Sequence, residues 1–73
     1  MATREVRSEI PGNVWKIECA TGTAIAEGDT VMILESMKME IPVDSPAAGT
    51  VLEIRVNEGD FVAEDDVLFV LES

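Results

Sequence analysis

Residues 49–73, GTVLEIRVNEGDFVAEDDVLFVLES, restate residues 12–36, GNVWKIECATGTAIAEGDTVMILES, without a gap at an offset of 37. Ten of the 25 positions are identical: Gly12/Gly49, Val14/Val51, Ile17/Ile54, Gly22/Gly59, Ala26/Ala63, Glu27/Glu64, Asp29/Asp66, Leu34/Leu71, Glu35/Glu72 and Ser36/Ser73. Others exchange one apolar side chain for another, as in Trp15/Leu52, Met32/Phe69 and Ile33/Val70. Val6/Val43 and Ser8/Ser45 carry the match upstream, so the chain reads as two copies of one unit, about residues 1–36 and 37–73. Neither copy could bury its apolar face alone. The two are expected to pack together as a single domain over residues 1–73, about a pseudo-two-fold axis.

Within each copy the apolar spacing favours strands. In Val14-Trp15-Lys16-Ile17-Glu18-Cys19, alternation puts residues 15, 17 and 19 on one face and Lys16 and Glu18 on the other. In Val51-Leu52-Glu53-Ile54-Arg55-Val56 it puts residues 52, 54 and 56 inward, with Glu53 and Arg55 outward. Turn residues punctuate the pattern at Pro11-Gly12, Gly28-Asp29, Ser45-Pro46 and Gly59-Asp60. Gly12, Gly22, Gly49 and Gly59 recur in pairs across the repeat and read as turn formers, with no phosphate-loop or dinucleotide pattern around them. Short strands at this spacing predict an all-β fold, a small sandwich or flattened barrel without room for a long helix. Closing the strands leaves few exposed edges, which suits a small domain without staples.

Composition narrows the function. The chain has 73 residues, a net charge of −10, no histidine and one cysteine. Without histidine there is no ordinary zinc ligand set and no Ser-His-Asp or Cys-His machinery. A pI near 4.1 argues against nucleic acid, whose binders draw affinity from Lys and Arg on phosphates. The apolar content of 47% is too high for a disordered acidic tail. The run Val31-Met32-Ile33-Leu34 is far too short to span a membrane, and the first residues lack the apolar region of a secretory signal. A lone cysteine fits a reducing cytoplasm. Cys19 alternates with Trp15 and Ile17 and has Val56 as its repeat mate, so it reads as a small core residue. The acidic run Glu64-Asp65-Asp66 lacks the pattern of a calcium loop and reads as a solvated turn, so no metal site is expected. No catalytic residue is expected either, and the chain reads as something other than a self-sufficient enzyme.

The two lysines differ in kind. Lys16 lies mid-strand on a polar face and reads as a solvated charge. Lys38 stands at the pivot of the repeat, in the connecting turn Ser36-Met37-Lys38-Met39-Glu40, whose counterpart in the second copy is the chain terminus at Ser73. A turn at the tip of a rigid barrel presents its amine to another protein without steric competition. Its neighbours Glu35 and Glu40 are acidic, and nothing in the turn marks Lys38 as a catalytic base. Such a lysine suits being a substrate for modification, with the modifying enzyme supplying the base. Methionines ordinarily fill gaps in a core. Two of them astride a charged residue in a turn cannot both be deeply buried, however, and exposed methionines make an adaptable recognition surface.

The hexapeptide Glu35-Ser36-Met37-Lys38-Met39-Glu40 resembles the attachment signature of biotin carboxyl carrier proteins and biotinyl domains, in which a Met-Lys-Met turn presents the acceptor lysine. Pro11-Gly12-x-Val14, Gly28-Asp29, Val31 through Leu34, Ile41-Pro42-Val43, Gly49-x-Val51 and Glu58-Gly59-Asp60-x-Val62 are similar to the rest of the family pattern in order and spacing. The acceptor's distance from Ser73, 35 residues, is also similar. The resemblance implies a flattened barrel of two four-stranded antiparallel sheets, with Lys38 on the hairpin between the fourth and fifth strands. It implies covalent biotin on Lys38, recognition through Glu35, Ser36, Met37, Met39 and Glu40, and a biotin protein ligase that uses biotinyl-adenylate. Biotin carboxylase and carboxyltransferase would be the further partners, with no nucleic acid and no membrane. The related lipoyl domains share the fold but typically have Asp before the lysine and Ala after it. The alternative that the resemblance leaves is a lipoyl carrier of a 2-oxoacid dehydrogenase or glycine-cleavage type system, or a dual carrier, since small stand-alone proteins described as biotin/lipoyl attachment proteins keep lipoate as a second modification.

Two departures from the family pattern stand out. Gly22-Thr23 replaces the usual Gly-Asp, a change expected to stay within a turn. There is no inserted thumb loop, and residues 1–11 do not read as a Pro/Ala-rich linker. Met1 suggests a free-standing small protein, although an excised domain with an added Met would look the same. An unmodified binding module that uses the Met-Lys-Met tip as an interface is a third reading, and it predicts a purified protein of plain sequence mass.

Overall fold

The 37-residue offset carries over from sequence to backbone. In a computed structural model that describes residues 2–73, the chain forms eight strands and, among those residues, no helix. The strands are β1 (Thr3–Arg7), β2 (Gly12–Ile17), β3 (Ala24–Ile25), β4 (Thr30–Ser36), β5 (Met39–Asp44), β6 (Gly49–Ile54), β7 (Phe61–Val62) and β8 (Val67–Glu72). Moved by 37, β2 falls on β6 and β3 on β7 residue for residue, while β1 meets β5 and β4 meets β8 within one residue. The strands form two four-stranded antiparallel sheets, β1-β8-β6-β3 and β5-β4-β2-β7. Each sheet takes two strands from each copy of the repeat. The copies are therefore interleaved, and neither could assemble a sheet of this kind alone.

The turns repeat as closely as the strands. Gly22 N–H donates to Val51 O at 2.7 Å, and Gly59 N–H donates to Val14 O at 2.7 Å. The Asp29 carboxylate accepts Ala26 N–H at 2.9 Å, and Asp66 accepts Ala63 N–H at 2.8 Å. Asp66, expected in a solvated acidic turn, thus closes that turn. The replacement of Asp by Thr23 is absorbed in the same way. Thr23 Oγ1 accepts Ala20 N–H at 3.3 Å where the Asp60 carboxylate accepts Asn57 N–H at 2.9 Å.

Between the sheets lies a core that includes the mates Val14 and Val51, Val31 and Leu68, Met32 and Phe69, and Leu34 and Leu71, all at most 1% exposed. Burying each such side chain contributes roughly 1.5–3 kcal/mol. The buried hydroxyls of Ser8 and Ser45 donate to the Ile10 and Ala47 carbonyls, so neither is left unsatisfied.

The strand phase corrects the simple alternation. Trp15 and Leu52, expected inward, are 48% and 39% exposed, and Val14 and Val51 are buried instead. Between β2 and β4 the register passes from Val14↔Leu34 to Lys16↔Ile33 and skips Trp15. Between β6 and β8 it passes from Val51↔Leu71 to Glu53↔Val70 and skips Leu52. One extra residue in a bulge inverts the facing of everything on one side of it. Beyond the bulges Ile17, Cys19, Ile54 and Val56 return to pack against the core, as the alternation expected. A second pair of bulges skips Val31 opposite β5 and Leu68 opposite β1. It accompanies the burial of two successive side chains, Val31-Met32 and Leu68-Phe69.

The glycines divide into two kinds. Gly22 and Gly59 are turn formers, as expected, with φ of 91° and 94°. Gly12 and Gly49 are not: they open β2 and β6. A Cβ on Gly12 would lie 2.9 Å from the Glu35 carbonyl oxygen, and one on Gly49 would overlap the Glu72 carbonyl oxygen. Close backbone approach, not a turn, requires glycine there.

Candidate functional site

Strands β4 and β5 pair from Thr30↔Asp44 up to Ser36↔Met39, leaving only Met37 and Lys38 to connect them. A two-residue connection of this kind favours a turn with positive φ at both central residues, normally filled by Asn-Gly or a similar pair. Here Met37 has φ 53° and Lys38 φ 65°. An L-residue in the left-handed region costs roughly 1–2 kcal/mol, so the tip holds a strained conformation that the paired strands enforce. The alternation of apolar residues gives no sign of this. The signal that could have found it is the loop length, read once the two strands are known to pair.

Each of the six residues expected at the site lies on this hairpin. Met37 is 92% exposed and Met39 60%, so neither fills a gap in the core. Lys38 is exposed, and among the described residues its ammonium has no carboxylate within ion-pair distance. Lys16, by contrast, lies 3.6 Å from Glu18, a solvated pair of little energetic weight. Ser36 is half-buried at the end of β4. Glu35 and Glu40 are exposed and sit directly opposite each other in the ladder. Like charges facing across a strand pair are destabilising. The repeat-equivalent pair, Thr3↔Glu72, carries one carboxylate only.

Chemically the tip offers a sterically free primary amine, two apolar side chains flanking it and two carboxylates below. That set fits covalent acylation of the amine by an enzyme that brings its own base. A groove of about 340 Å³ lies elsewhere, between the edge strands β1 and β5. Of its polar lining, the Ser8 hydroxyl is already committed to the Ile10 carbonyl.

The family model described as "Biotin-requiring enzyme", a biotin/lipoyl domain, matches residues 4–71. A biotin/lipoyl attachment protein of Bacillus subtilis (strain 168) is 47% identical over 68 residues, which cover 93% of this chain and 93% of that protein. A biotinylated protein TB7.3 homolog of Mycobacterium leprae (strain TN) is 40% identical over 67 residues, covering 92% of this chain and 94% of that one. Among solved structures, the Kluyveromyces lactis urea carboxylase matches 99% of this chain with a TM-score of 0.92 and 33% identity. This chain spans only 6% of that much longer one. The chain belongs to the biotin/lipoyl attachment domain family.

Proposed function

We propose that residues 1–73 form one biotin carboxyl carrier domain in which Lys38 is the acceptor for biotin. Glu35, Ser36, Met37, Met39 and Glu40 are then the features that a biotin protein ligase reads. The observation that carries this reading is the two-residue turn, in which Lys38 stands exposed between two exposed methionines at the end of a rigid strand pair. The names of the two small relatives, one an attachment protein and the other biotinylated, support it, and so does the carboxylase likeness.

Biotinylation joins Lys38 Nζ to the acyl carbon of biotinyl-adenylate in an amide bond. AMP leaves, and the amine's proton passes to a base on the ligase. Attached biotin supplies a ring nitrogen able to hold a carboxyl group between two partner active sites. The chain's own contribution is positional. The strained turn holds the Lys38 stem clear of the sheets, and covalent tethering raises the local concentration of the group at both partners. Biotin carboxylase and carboxyltransferase perform the chemistry, and the chain itself is a non-catalytic carrier.

Intact mass after coexpression with biotin ligase and excess biotin tests the reading. The wild type should gain one biotinyl group and Lys38→Arg none. A wild type of plain mass would overturn the function, and an adduct that persists in Lys38→Arg would overturn the site. Lipoylation is a second reading, favoured by the word lipoyl in the name of the Bacillus relative. Met37→Asp with Met39→Ala should move preference toward a lipoate ligase, and unchanged preference would count against the motif as the determinant.

A further inference from the structure

The repeat supplies an internal control for the molecular surface. Residues 37 apart occupy equivalent places on the outer faces of the two sheets, so the fold itself does not dictate a difference between them. On the sheet that carries the Lys38 hairpin, the outer face holds Phe61, 67% exposed, and Trp15, 48% exposed. Their counterparts on the other sheet are Ala24 and Leu52. Ion pairs occur on both faces, Lys16–Glu18 beside Trp15 and its repeat mate Glu53–Arg55 on the other sheet, so the difference lies in the aromatic pair. The second face adds only Glu5, which accepts from Arg7 at 2.9 Å.

The aromatic pair is continuous with the hairpin. Asn13 pairs with both Phe61 and Glu35, and Glu35 pairs with Glu40, so Phe61, Asn13, Glu35 and Glu40 form one row across all four strands. Three strand spacings make that row about 14 Å wide. Trp15 lies two residues from Asn13 on β2, a diagonal neighbour of Phe61 at about 7–8 Å between backbones. Glu40 is two residues from Lys38. A partner that grips Lys38 with an ordinary footprint of about 800 Å² per side must extend past the two-residue turn and onto this row.

We propose that this face, anchored by Trp15 and Phe61, docks the biotin protein ligase through an apolar cleft rimmed by basic side chains. The proposal rests on Lys38 being the acceptor. The ligase is the partner whose reacting atom is Nζ itself, one lysine side chain from the backbone, so it is forced against the sheet. Partners that act on the attached group work at the end of a longer arm and need not touch it. Exposed aromatics are the side chains that anchor interfaces. The basic rim follows from the facing carboxylates of Glu35 and Glu40 and from the net charge of −10.

Steady-state biotinylation of purified, unmodified carrier tests the proposal, with the thermal midpoint checked for each variant. Trp15→Ala with Phe61→Ala should raise the KM for the carrier at least tenfold and leave kcat within twofold. Leu52→Ala, at the equivalent place on the other sheet, should change neither by more than twofold. Phe61→Lys, on a short edge strand, sets a cation against the basic rim and should raise KM even if Trp15→Ala costs folding. A wild type that is not modified at all would overturn the attachment reading beneath the proposal. A wild type modified at Lys38, beside folded Trp15 and Phe61 variants of unchanged KM, would overturn the docking surface alone. Unchanged ligase kinetics with slowed carboxyl transfer would give the face to a carboxylase instead. Concentration-dependent dimerisation lost in the double variant would give it to a second copy. Either result overturns the proposal.

Discussion

Six described residues have positive φ, and they fall into two groups. In turns that only connect strands, glycine takes the strain, at Gly22, Gly28 and Gly59. At the hairpin that carries the candidate lysine, Met37 and Lys38 take it with full side chains. Asp65 stands between the groups: it occupies the place of Gly28 in the second copy, and Asp tolerates the left-handed region better than most residues. Where a turn serves the fold alone, the chain mostly relaxes it. Where a side chain must be presented, the strain is kept and the paired strands bear it.

The largest predicted effect tests how closely the two copies match. Gly49→Ala places a methyl group against the Glu72 carbonyl, a backbone atom that cannot swing aside. A loss of about 3 kcal/mol is expected, at the upper end of overpacking costs. Gly12→Ala meets the equivalent Glu35 carbonyl at a looser 2.9 Å and should lose about 1–2 kcal/mol. Urea unfolding of both variants checks the order, and equal losses would show that the copies are better matched than these distances imply.

The hairpin breaks the comparison from the other side. Met37→Asn with Lys38→Gly supplies the pair that a two-residue turn of this kind prefers. It should raise stability by about 1–2 kcal/mol, the relief of left-handed strain less the extra entropy of the unfolded chain. The same variant removes the acceptor amine, so the mass shift on biotinylation should vanish as the denaturant midpoint rises. A variant no more stable than wild type would mean that the tip is relaxed as it stands.

Much of this was legible in the sequence, because a repeat constrains every position twice. The all-β architecture follows from period-two spacing, and the pivot at Lys38 follows from the offset. What alternation could not reveal is the facing of Trp15 and Leu52. A bulge leaves no compositional mark, and an apolar residue fits the inward reading whether or not a bulge intervenes. Gly12 and Gly49 failed for a related reason. A glycine required by close approach of another strand looks the same in sequence as one required by a turn. The strain at Met37 and Lys38 depends on strand pairing, which local patterns do not contain. The aromatic face is equally hidden from local patterns, because the exposure of Trp15 is itself a consequence of the bulge there.

A smaller effect sharpens the glycine–aspartate difference between the copies. Gly28→Ala, at φ 89°, should lose about 1 kcal/mol, because left-handed strain exceeds the entropy gained in the unfolded state. Asp65→Gly, at φ 73°, should gain no more than about 0.5 kcal/mol, since Asp already tolerates this region and Gly loosens the unfolded chain. Neither carboxylate that closes these turns, Asp29 or Asp66, is touched. Thermal midpoints moving in opposite directions would support the assignment, and two losses of equal size would sink it.

The smallest effect concerns Cys19 and Val56, the mates that pack against the core from the two copies. If the places are equivalent, Cys19→Val should change stability at pH 7 by no more than about 0.5 kcal/mol, because a similar apolar volume replaces the thiol. The pH dependence separates the two side chains. Burial pushes the Cys19 thiol up from its ordinary value, so the folded state favours the protonated form. A raised folded value contributes stability that is fully present below the unfolded thiol's value of about 8.5 and is lost as pH rises through the folded one. Valine has no proton to lose. The stability of the wild type relative to Cys19→Val should therefore fall as pH rises past the unfolded thiol's value, as read by urea unfolding at stepped alkaline pH. A difference that grows with pH would mean that the thiolate, not the thiol, is the form the fold prefers.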